Sequence, residues 1–433
     1  MDPLYLALLG FCAMMVLIAL HVPIGISMAL VGVTGFAQLA GWGPALSLMA
    51  SEPAVAMSNL DLAVIPLFML MGSLAAAGGL ATDVYDMANA FFGHRRGGLA
   101  TTTIFASAGF GAICGSGVAT TATFGRVAMP EMLKRGYLPQ VAAGSIAAGG
   151  TLGIIVPPSA MMILYAVLTE QSVLQLFTAA IIPALLAVLF YVIAVQYVVM
   201  RAPEAAPTAR RMAPRERLRA VAQGWGVITL AVVVMGGIYS GIFTVNEAAA
   251  VGVVIAFFFA LIRGRLNRRT FLQVLSEASS ATAMIYIMVF GATIFSYFIA
   301  VTGGAAFLVG SIAALPIPPV AVIFGLLLLY VFLGAFFDEV AAMIITLPVV
   351  IPIVTGLGYD LVWWGIVNVV VIAIGMLSPP LGINVMLLNS MHKEVPLGAI
   401  YRGVTPYMVA DMLRLALLVL VPSLTLWLPS VLR

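Results

Sequence analysis

Two segments of this chain place glycine, proline and hydroxyl groups together inside apolar stretches. They read AAGGTLGIIVPPSAMMILY at residues 147–165 and IAIGMLSPPLGINVMLL at residues 372–388. Proline removes a backbone donor and clashes with the carbonyl one turn earlier, and glycine loosens the same turn. We therefore predict that each segment is unwound from its glycines to its Pro-Pro pair. Free carbonyls and hydroxyls are hard oxygen ligands of the kind that coordinate Na⁺ at interrupted membrane helices. A proline kink would explain either motif alone, but their occurrence as a pair favours a cation-binding site.

A third polar segment, GSG at 115–117, interrupts the stretch 97–130. Basic clusters flank this stretch, HRR at 94–96 and KR at 134–135, and basic loops favour the cytoplasmic side of a membrane. If both clusters are cytoplasmic, the stretch is a re-entrant hairpin with two legs of about 16 residues, each roughly 25 Å long. A single helix with a frayed end is the alternative, and it would carry one cluster outside. The hairpin places its tip near the bilayer midplane, where non-helical backbone must contact protein or water.

Enzymatic chemistry has little support in the sequence. A hydrolase would use Ser116 as its nucleophile, and an activated serine needs a base within hydrogen-bond reach. The three histidines, His21, His94 and His392, are scattered, and none falls in a predicted span near Ser116. No HExxH or Cys/His ligand spacing occurs, so no metal beyond Na⁺ is expected. We therefore predict no catalytic residues, no organic cofactor and no enzymatic activity.

The composition is that of a polytopic membrane protein. Of the 433 residues, 63% are apolar and only 8% are charged, well below the roughly one-quarter charged residues of an ordinary soluble domain. Stretches of about 20 apolar residues can span a bilayer as helices. They are predicted at 3–20, 23–40, 60–78, 140–166, 173–200, 223–243, 246–262, 276–301, 359–390 and 404–428. The fold class is therefore all-α, with the lipid bilayer and not nucleic acid as the expected surroundings.

A basic linker divides the chain into two halves. Residues 201–222 carry six arginines against two glutamates, which predicts a cytoplasmic linker by the positive-inside rule. Residues 1–200 and 223–433 then each contain three spans, a hairpin and two further spans. Because five crossings are an odd number, the second half starts from the opposite side and is inverted. Its hairpin, predicted at 316–356, opens to the outside.

An internal repeat supports this division. An offset of 222 aligns six Gly, Pro and Tyr residues without a gap. They are Pro130, Gly136, Tyr137, Gly153, Pro157 and Pro158, which fall on Pro352, Gly358, Tyr359, Gly375, Pro379 and Pro380. Two inverted repeats with interrupted helices that meet at mid-membrane indicate a secondary transporter whose site lies between them.

Three charged residues lie in or beside the predicted membrane segments. Asp338 is at the predicted tip of the second hairpin, where an ionisable group is a candidate for ion or substrate contact; alternatively, it is the N-cap of the return leg. Arg126 lies about ten residues beyond the first tip, roughly 15 Å along its leg. We expect its head group to reach the cytoplasmic surface, with contact to a substrate carboxylate as the alternative. Glu247 completes a capping box with Thr244 at the start of a span.

Four long motifs follow one another along the chain. They read GSGVATTATFGRVAMPEMLKRGY from 115, GTLGIIVPPSAMMILY from 150, GGIYSGIFTVNEAAAVG from 236 and IGMLSPPLGINVMLL from 374. In this order they resemble the large, DctM-like membrane subunit of tripartite ATP-independent periplasmic (TRAP) transporters, over nearly the whole chain. The resemblance implies an importer of the bacterial inner membrane that receives an organic anion from a periplasmic binding protein and works with a small four-span membrane subunit.

The resemblance also implies a mechanism and a class of substrate. Transport would be driven by Na⁺ symport, and an elevator motion would carry the hairpins and broken helices past a fixed scaffold. The implied substrates are carboxylates such as a C4-dicarboxylate, a sugar acid, a keto acid or sialic acid. A stand-alone Na⁺-coupled anion symporter of related fold is the alternative, and it differs in needing no partner proteins.

Site residues are carried over from the family by position. The implied substrate-binding residues are Ser116, Gly117, Val118, Asp338 and Asn384. The implied sodium-binding residues are Gly115, Ser116, Gly149, Gly150, Thr151, Gly334, Asp338, Gly375 and Ser378, and the helix breaks lie at Pro157, Pro158, Pro379 and Pro380.

Three residues depart from the usual family pattern. Gly117 stands where a second serine is common, Glu339 where proline is usual and Arg126 where a small residue is usual. The first departure weakens a side-chain ligand role at the first tip. The second adds a carboxylate near the second tip, which would alter ion coordination or repel an anion.

Overall fold

The computed structural model describes residues 3–208, 210–314 and 316–432, and all regular structure within these ranges is helical. The first half contains α1 (Pro3–Ala19), α2 (Ile24–Ala40), α3 (Trp42–Ser58), α4 (Leu60–Gly78), α5 (Leu80–Phe92), α6 (Gly98–Cys114), α7 (Gly117–Lys134), α8 (Pro139–Ile155), α9 (Ala160–Thr169) and α10 (Val173–Arg201). The linker contains a 3-10 turn (Pro203–Ala205) and α11 (Pro214–Gln223).

The second half begins with α12 (Trp225–Tyr239), α13 (Val245–Ile262), α14 (Arg268–Thr302), α15 (Gly304–Ala313) and α16 (Pro319–Phe336). It continues with α17 (Glu339–Gly356), α18 (Leu361–Gly375), α19 (Ile383–Met391), α20 (Leu397–Leu420) and α21 (Ser423–Val431). Among the described residues, eight helices, with α8 and α9 counted together, are long and apolar enough to cross a membrane, and up to nine if the bent pair α11 and α12 is one span. The predicted all-α, multi-pass membrane architecture is therefore confirmed.

The helices differ from the predicted spans in several places. The prediction misses α3, α5 and α15, because polar residues such as Glu52 and Asp83 interrupt the apolar pattern of the first two and the third has only 10 residues. Part of the predicted linker is helical, as α11. The stretch 404–428 is not one span but is divided between α20 and α21. Pro422 lies at this division, where its missing N–H cannot continue the helix.

The two hairpin return helices repeat the offset of the sequence. α7 begins at Gly117 and α17 begins at Glu339, which is 222 residues later (339 − 117). The helices end at Lys134 and Gly356, again 222 residues apart (356 − 134). Gly117 and Glu339 therefore hold equivalent positions in the two halves.

Both outer ends of the α6–α7 pair contact the linker. The backbone N–H of Gly97, just before α6, donates to the Ala206 carbonyl at 3.3 Å, and that of Leu138, just after α7, donates to the Ala205 carbonyl at 3.1 Å. The two helices therefore return to the side of the molecule from which they start, and residues 115–116 form the tip between them.

The helices pack into two groups. In the first group α14 lies along α2 and α13 lies along α4; in the second, α8 contacts α6, α7 and α20, while α18 contacts α16 and α17. Helix α8 is buried throughout from Val141 to Ile155, and α18 throughout from Val362 to Gly375. These two helices form the centre of the second group. The break after α8 is mostly buried, whereas the break after α18 exposes Pro379, Pro380 and Leu381.

Candidate functional site

The first hairpin tip rests on the break between α8 and α9. Gly115 adopts a left-handed conformation with φ 65°, which glycine accommodates without strain. Its carbonyl accepts a hydrogen bond from the Ala160 N–H at 3.3 Å. Ser116 is the N-cap of α7 and accepts the Ala119 N–H at 3.4 Å, while Val118 in the first turn is only partly buried. The tip is therefore held by backbone contacts that leave no room for a larger residue at Gly115.

The glycines before the Pro-Pro pairs are helical, so the prediction that they lie in unwound backbone is wrong. Helix α8 continues through residues 149–151, and only residues 156–159 separate it from α9. Helix α18 likewise extends through Gly375, and the break occupies residues 376–382. The four prolines predicted as helix breaks lie within these two connections. Unwinding therefore starts later than expected, at residue 156 in the first segment and at residue 376 in the second.

These glycines instead allow close helix packing. Gly149 faces the Ser107 hydroxyl, Gly150 faces the Thr121 hydroxyl and Gly375 faces the Gly334 backbone. A Cβ atom at Gly375 would lie 2.6 Å from Gly334 Cα, and one at Gly150 would overlap Thr121 Oγ1. The absence of side chains thus brings the hairpin legs against the buried helices.

The second hairpin tip is organised like the first. Asp338 is the N-cap of α17, and its Oδ1 accepts the N–H groups of Val340 at 3.0 Å and Ala341 at 2.9 Å. The Gly382 N–H, in the break after α18, donates to the Ala335 carbonyl at 3.3 Å. Ser378 Oγ donates to a helix carbonyl at 2.8 Å. The N-cap interpretation of Asp338 is thus met by one oxygen, and Oδ2 lies outside the cap.

The two halves of the chain meet where the tips approach each other. The Glu339 carboxylate lies against Gly117, so that a Cβ atom at Gly117 would be 3.1 Å from Glu339 Oε2. Asn384, in α19, donates from Nδ2 to the Ala147 carbonyl of α8 at 3.1 Å. The same amide lies beside Gly150. We call Gly117, Thr121, Gly150, Glu339 and Asn384 the tip junction.

Three oxygen atoms of the tip junction are buried without a hydrogen-bond partner. They are Thr121 Oγ1, Glu339 Oε2 and Asn384 Oδ1. Buried polar atoms are normally paired, because desolvation without a partner is costly. Hydroxyl, carboxylate and amide oxygens are ligands for a hard cation such as Na⁺. None of the three is a thiolate or an imidazole, the ligands that transition metals favour, so this donor set suits Na⁺ better than a transition metal.

Sequence reasoning misses Thr121, although a signal for it exists. Thr121 stands four residues after Gly117 on α7, a spacing that puts both on one helix face. Because threonine is common along this leg, only the contact with Gly150 distinguishes Thr121 from its neighbours.

The hydroxyl of Thr151 points into a different network. Thr151 Oγ1 donates to the Ala148 carbonyl at 2.7 Å and lies 2.8 Å from the Tyr191 hydroxyl. Tyr191 in turn donates to Asp411 Oδ2 at 2.5 Å, and Asp411 Oδ1 lies 2.7 Å from Arg414 Nη2. All of these side chains are fully buried. The Thr151 hydroxyl is therefore committed away from the tip junction, and sequence reasoning misses the acid–base pair in α20 that orients it.

A polar cavity of about 520 Å³ lies between α7 and the first helix group. Its walls carry the guanidinium groups of Arg126 and Arg265 and the carboxylate of Glu277. Hydroxyl and amide groups complete them, from Ser73, Thr82, Thr123, Thr270 and Gln273. The cavity reaches Cys114, the last residue of α6 before the first tip. Arg126 is exposed and borders this cavity, so both interpretations of this residue stay open.

Comparisons with known proteins agree with this architecture. The chain is 35% identical over 371 residues to the C4-dicarboxylate TRAP transporter large permease protein DctM of Pseudomonas aeruginosa, covering 85% of this chain and 86% of the relative. It is 28% identical to the sialic acid TRAP transporter large permease protein SiaM of Vibrio cholerae, covering 94% and 95%. These relatives are named as permeases and not as enzymes.

A solved structure shows a similar fold. The crystal structure of the Alcanivorax borkumensis YdaH transporter superposes with a TM-score of 0.60 at 16% identity, covering 88% of each chain. Residues 11–424 also match the sequence profile described as the tripartite ATP-independent periplasmic transporter, DctM component. The resemblance seen in the motifs thus extends over almost the whole chain, and this protein belongs to the DctM family of TRAP transporter large permeases.

Proposed function

We propose that this chain imports an organic anion across the bacterial inner membrane by Na⁺ symport. The observation that carries the proposal is the tip junction, where both hairpins and both broken helices meet around buried oxygen atoms that have no partner. A cation bound there would satisfy these atoms and hold the hairpins in one arrangement. Cation binding would then be coupled to the arrangement of the two hairpins.

The substrate that fits the neighbouring cavity is a carboxylate. Arg126 of α7 and Arg265, just before α14, both line the cavity, and guanidinium groups bind carboxylates through paired, charge-assisted hydrogen bonds. Hydroxyls on α4 and α7 would hold further oxygen atoms of the substrate. Relatives named for C4-dicarboxylate and for sialic acid support this class.

An elevator motion is the proposed mode of transport. The helix groups meet through small residues of α4 and α7, including Gly72, Ala76, Ala119 and Ala122, which line the cavity between them. A surface of small side chains presents few ridges, so one group can slide along the other. The first group would be the scaffold, and the second would carry the cation and substrate.

Two partners complete the proposed transporter. The matching family is described as tripartite and periplasmic, which supports a small four-span membrane subunit and a soluble periplasmic binding protein. The binding protein would deliver the anion to the outer face, and the small subunit would support the scaffold.

Reconstitution tests the proposal. Proteoliposomes containing this chain and its small subunit would be supplied with labelled carboxylates, with and without the binding protein and an inward Na⁺ gradient. We expect accumulation only when both are present, for one member of the panel. Accumulation that needs Na⁺ but no binding protein would replace the tripartite proposal with a stand-alone symporter. Accumulation without a Na⁺ gradient would refute Na⁺ coupling.

A further inference from the structure

Glu339 is an unusual residue for its surroundings. Only 7% of its surface is exposed, and its Oε2 atom has no hydrogen-bond partner. Its neighbour Asp338 is a second carboxylate at the same tip. Within residues 3–208, 210–314 and 316–432, no basic side chain forms an ion pair with either one. Glu339 is buried beside a partly exposed Asp338, and a buried carboxylate that stays ionised is costly unless a cation compensates it.

Glu339 belongs to the second hairpin, but its side chain contacts the first hairpin. Its carboxylate extends from the start of α17 to the start of α7, where it lies next to the Ser116 side chain and the Gly117 amide. Gly117 is the equivalent residue of the other half, 222 positions earlier. A serine at Gly117 would place its Cβ atom 3.1 Å from Glu339 Oε2. The glycine and the glutamate therefore fit together, and each departs from the usual family residue at its position.

The other two oxygen atoms without a partner belong to Thr121 and Asn384, which both lie beside Gly150. The carbonyl oxygen of Gly150 is 3.4 Å from the Cβ position of Gly117, and Gly150 itself faces the Thr121 hydroxyl and the Asn384 amide. Thr121 Oγ1 and the Asn384 amide therefore both border Gly150, and the Gly150 carbonyl borders the contact between Glu339 and Gly117. These oxygens come from α7, α17 and α19, which belong to different halves of the chain.

We propose that Glu339 recruits a cation to the tip junction and that this cation, together with oxygens of Thr121 and Asn384, ties the two hairpin tips together. The inference rests on the proposed function and adds to it a ligand that the usual proline could not provide. Because Glu339 belongs to the second hairpin and Thr121 to the first, the proposed site lies between the two hairpins. Occupancy of this site should therefore account for part of the Na⁺ dependence of stability and uptake, and that part should disappear when the Glu339 carboxylate is removed.

Sodium titrations of the purified chain with its small subunit in nanodiscs test this proposal. Thermal unfolding would be followed in NaCl, with choline chloride keeping the ionic strength constant, because a ligand that binds the folded state raises the unfolding temperature with its concentration. We expect Glu339→Gln to raise the half-saturating Na⁺ concentration by at least about tenfold, since loss of even an outer-shell partner of a bound metal often costs that much. Without Na⁺, the same variant should unfold at or above the wild-type temperature, because an uncompensated buried charge is gone.

Two further variants keep the test sharp. Glu339→Pro provides the residue that is usual in the family, at the first position of α17 where proline is well tolerated. It should retain uptake in proteoliposomes but show a lower Hill coefficient for Na⁺. Glu204→Gln, which removes an exposed carboxylate in the linker, should change neither measurement.

The outcomes separate this inference from the proposed function. If the wild type responds to Na⁺ and both Glu339 variants respond with the same midpoint and cooperativity, Glu339 holds no cation and the inference is wrong. If the wild type itself shows no Na⁺ response, the proposed Na⁺ coupling fails as well. A loss of Na⁺ affinity in Glu339→Gln with an unchanged Glu204→Gln supports the proposal.

Discussion

Individual small residues set the geometry around the tip junction. Gly150 and Gly375 bring buried helices within contact distance of the hairpin legs, and Gly117 leaves space for the Glu339 carboxylate. In each case the missing side chain defines the distance between two backbones. At this scale, the absence of a side chain at these glycines is as important as the oxygen atoms of the neighbouring residues.

Enlarging either glycine should abolish uptake. Gly375→Val would press a side chain against the Gly334 backbone, and Gly150→Val would displace the Thr121 side chain, so we expect the Gly375 variant to be the more severe. Uptake in proteoliposomes and recovery of folded protein from membranes would be measured together. Gly325→Val is the matched control, because a Cβ atom at Gly325 has no neighbour within 4 Å. Normal Na⁺-dependent uptake by both variants would remove these residues from the site.

Replacing Arg126 should weaken substrate recognition. Arg126→Gln removes a guanidinium from the cavity, and a hydrogen bond to a charged group contributes about 1.5 to 3 kcal/mol. The apparent KM for a carboxylate should therefore rise by roughly 10- to 100-fold, while the Na⁺ dependence of thermal unfolding stays unchanged. Arg95→Gln, at an exposed position by the base of the hairpin, should leave KM as it is. An unchanged KM in Arg126→Gln would mean that this residue only reaches toward the surface.

At the scale of elements, α20 holds the buried helix α8 in place. Its Asp411–Arg414 pair is fully buried, and Tyr191 of α10 links the pair to Thr151 of α8. Charged side chains inside membrane segments usually pair with one another. The network therefore fixes the rotation of α8, and with it the face that Gly150 turns to the tip junction.

Breaking this pair should destabilise the protein more than removing it. Arg414→Leu leaves Asp411 as an uncompensated buried carboxylate, a change that typically costs about 3 to 5 kcal/mol. The double variant Asp411→Asn with Arg414→Leu removes both charges and should recover much of that loss. Thermal unfolding of the purified protein would be compared for the two. Equal stability of the single and double variants would contradict the compensation argued here.

At the scale of the whole molecule, two helix groups face each other across small side chains. Gly72 of α4 packs directly against Cys114, at the end of the first hairpin leg, with a Cβ position only 2.9 Å from Cys114 Cα. The polar cavity opens beside this contact. If the second group moves as a body, this is a surface along which it must slide.

A wedge at this surface should stop transport without preventing cation binding. Gly72→Val would insert two methyl groups between α4 and the hairpin tip, so we expect uptake to fall to background while the Na⁺-dependent rise in unfolding temperature remains. Gly236→Val, on α12 with no neighbour within 4 Å of its Cβ position, is the control and should transport normally. Wild-type uptake by Gly72→Val would argue against a sliding motion at α4.

The sequence by itself determined the class of the fold and the location of its irregular segments. Lipid offers no hydrogen-bond partners, so the apolar stretches had to be helices of bilayer length. Proline and glycine had to mark the interruptions, because their backbone chemistry acts locally. The Pro-Pro breaks, the GSG tip and the family membership were all readable for that reason, and so was the position of Asp338 at the second tip.

Only the tertiary structure decided which of these residues meet and what they do. It showed that the glycines before the prolines serve close packing inside intact helices, that the Thr151 hydroxyl faces Tyr191, and that Arg126 faces a cavity. It also brought Glu339 against Gly117 and placed Thr121 beside Asn384. The last two contacts join segments more than 200 residues apart, and all of them depend on the rotation and crossing of packed helices. Hydropathy along a nearly uniform apolar sequence does not specify either quantity, because almost every face of such a helix can be buried.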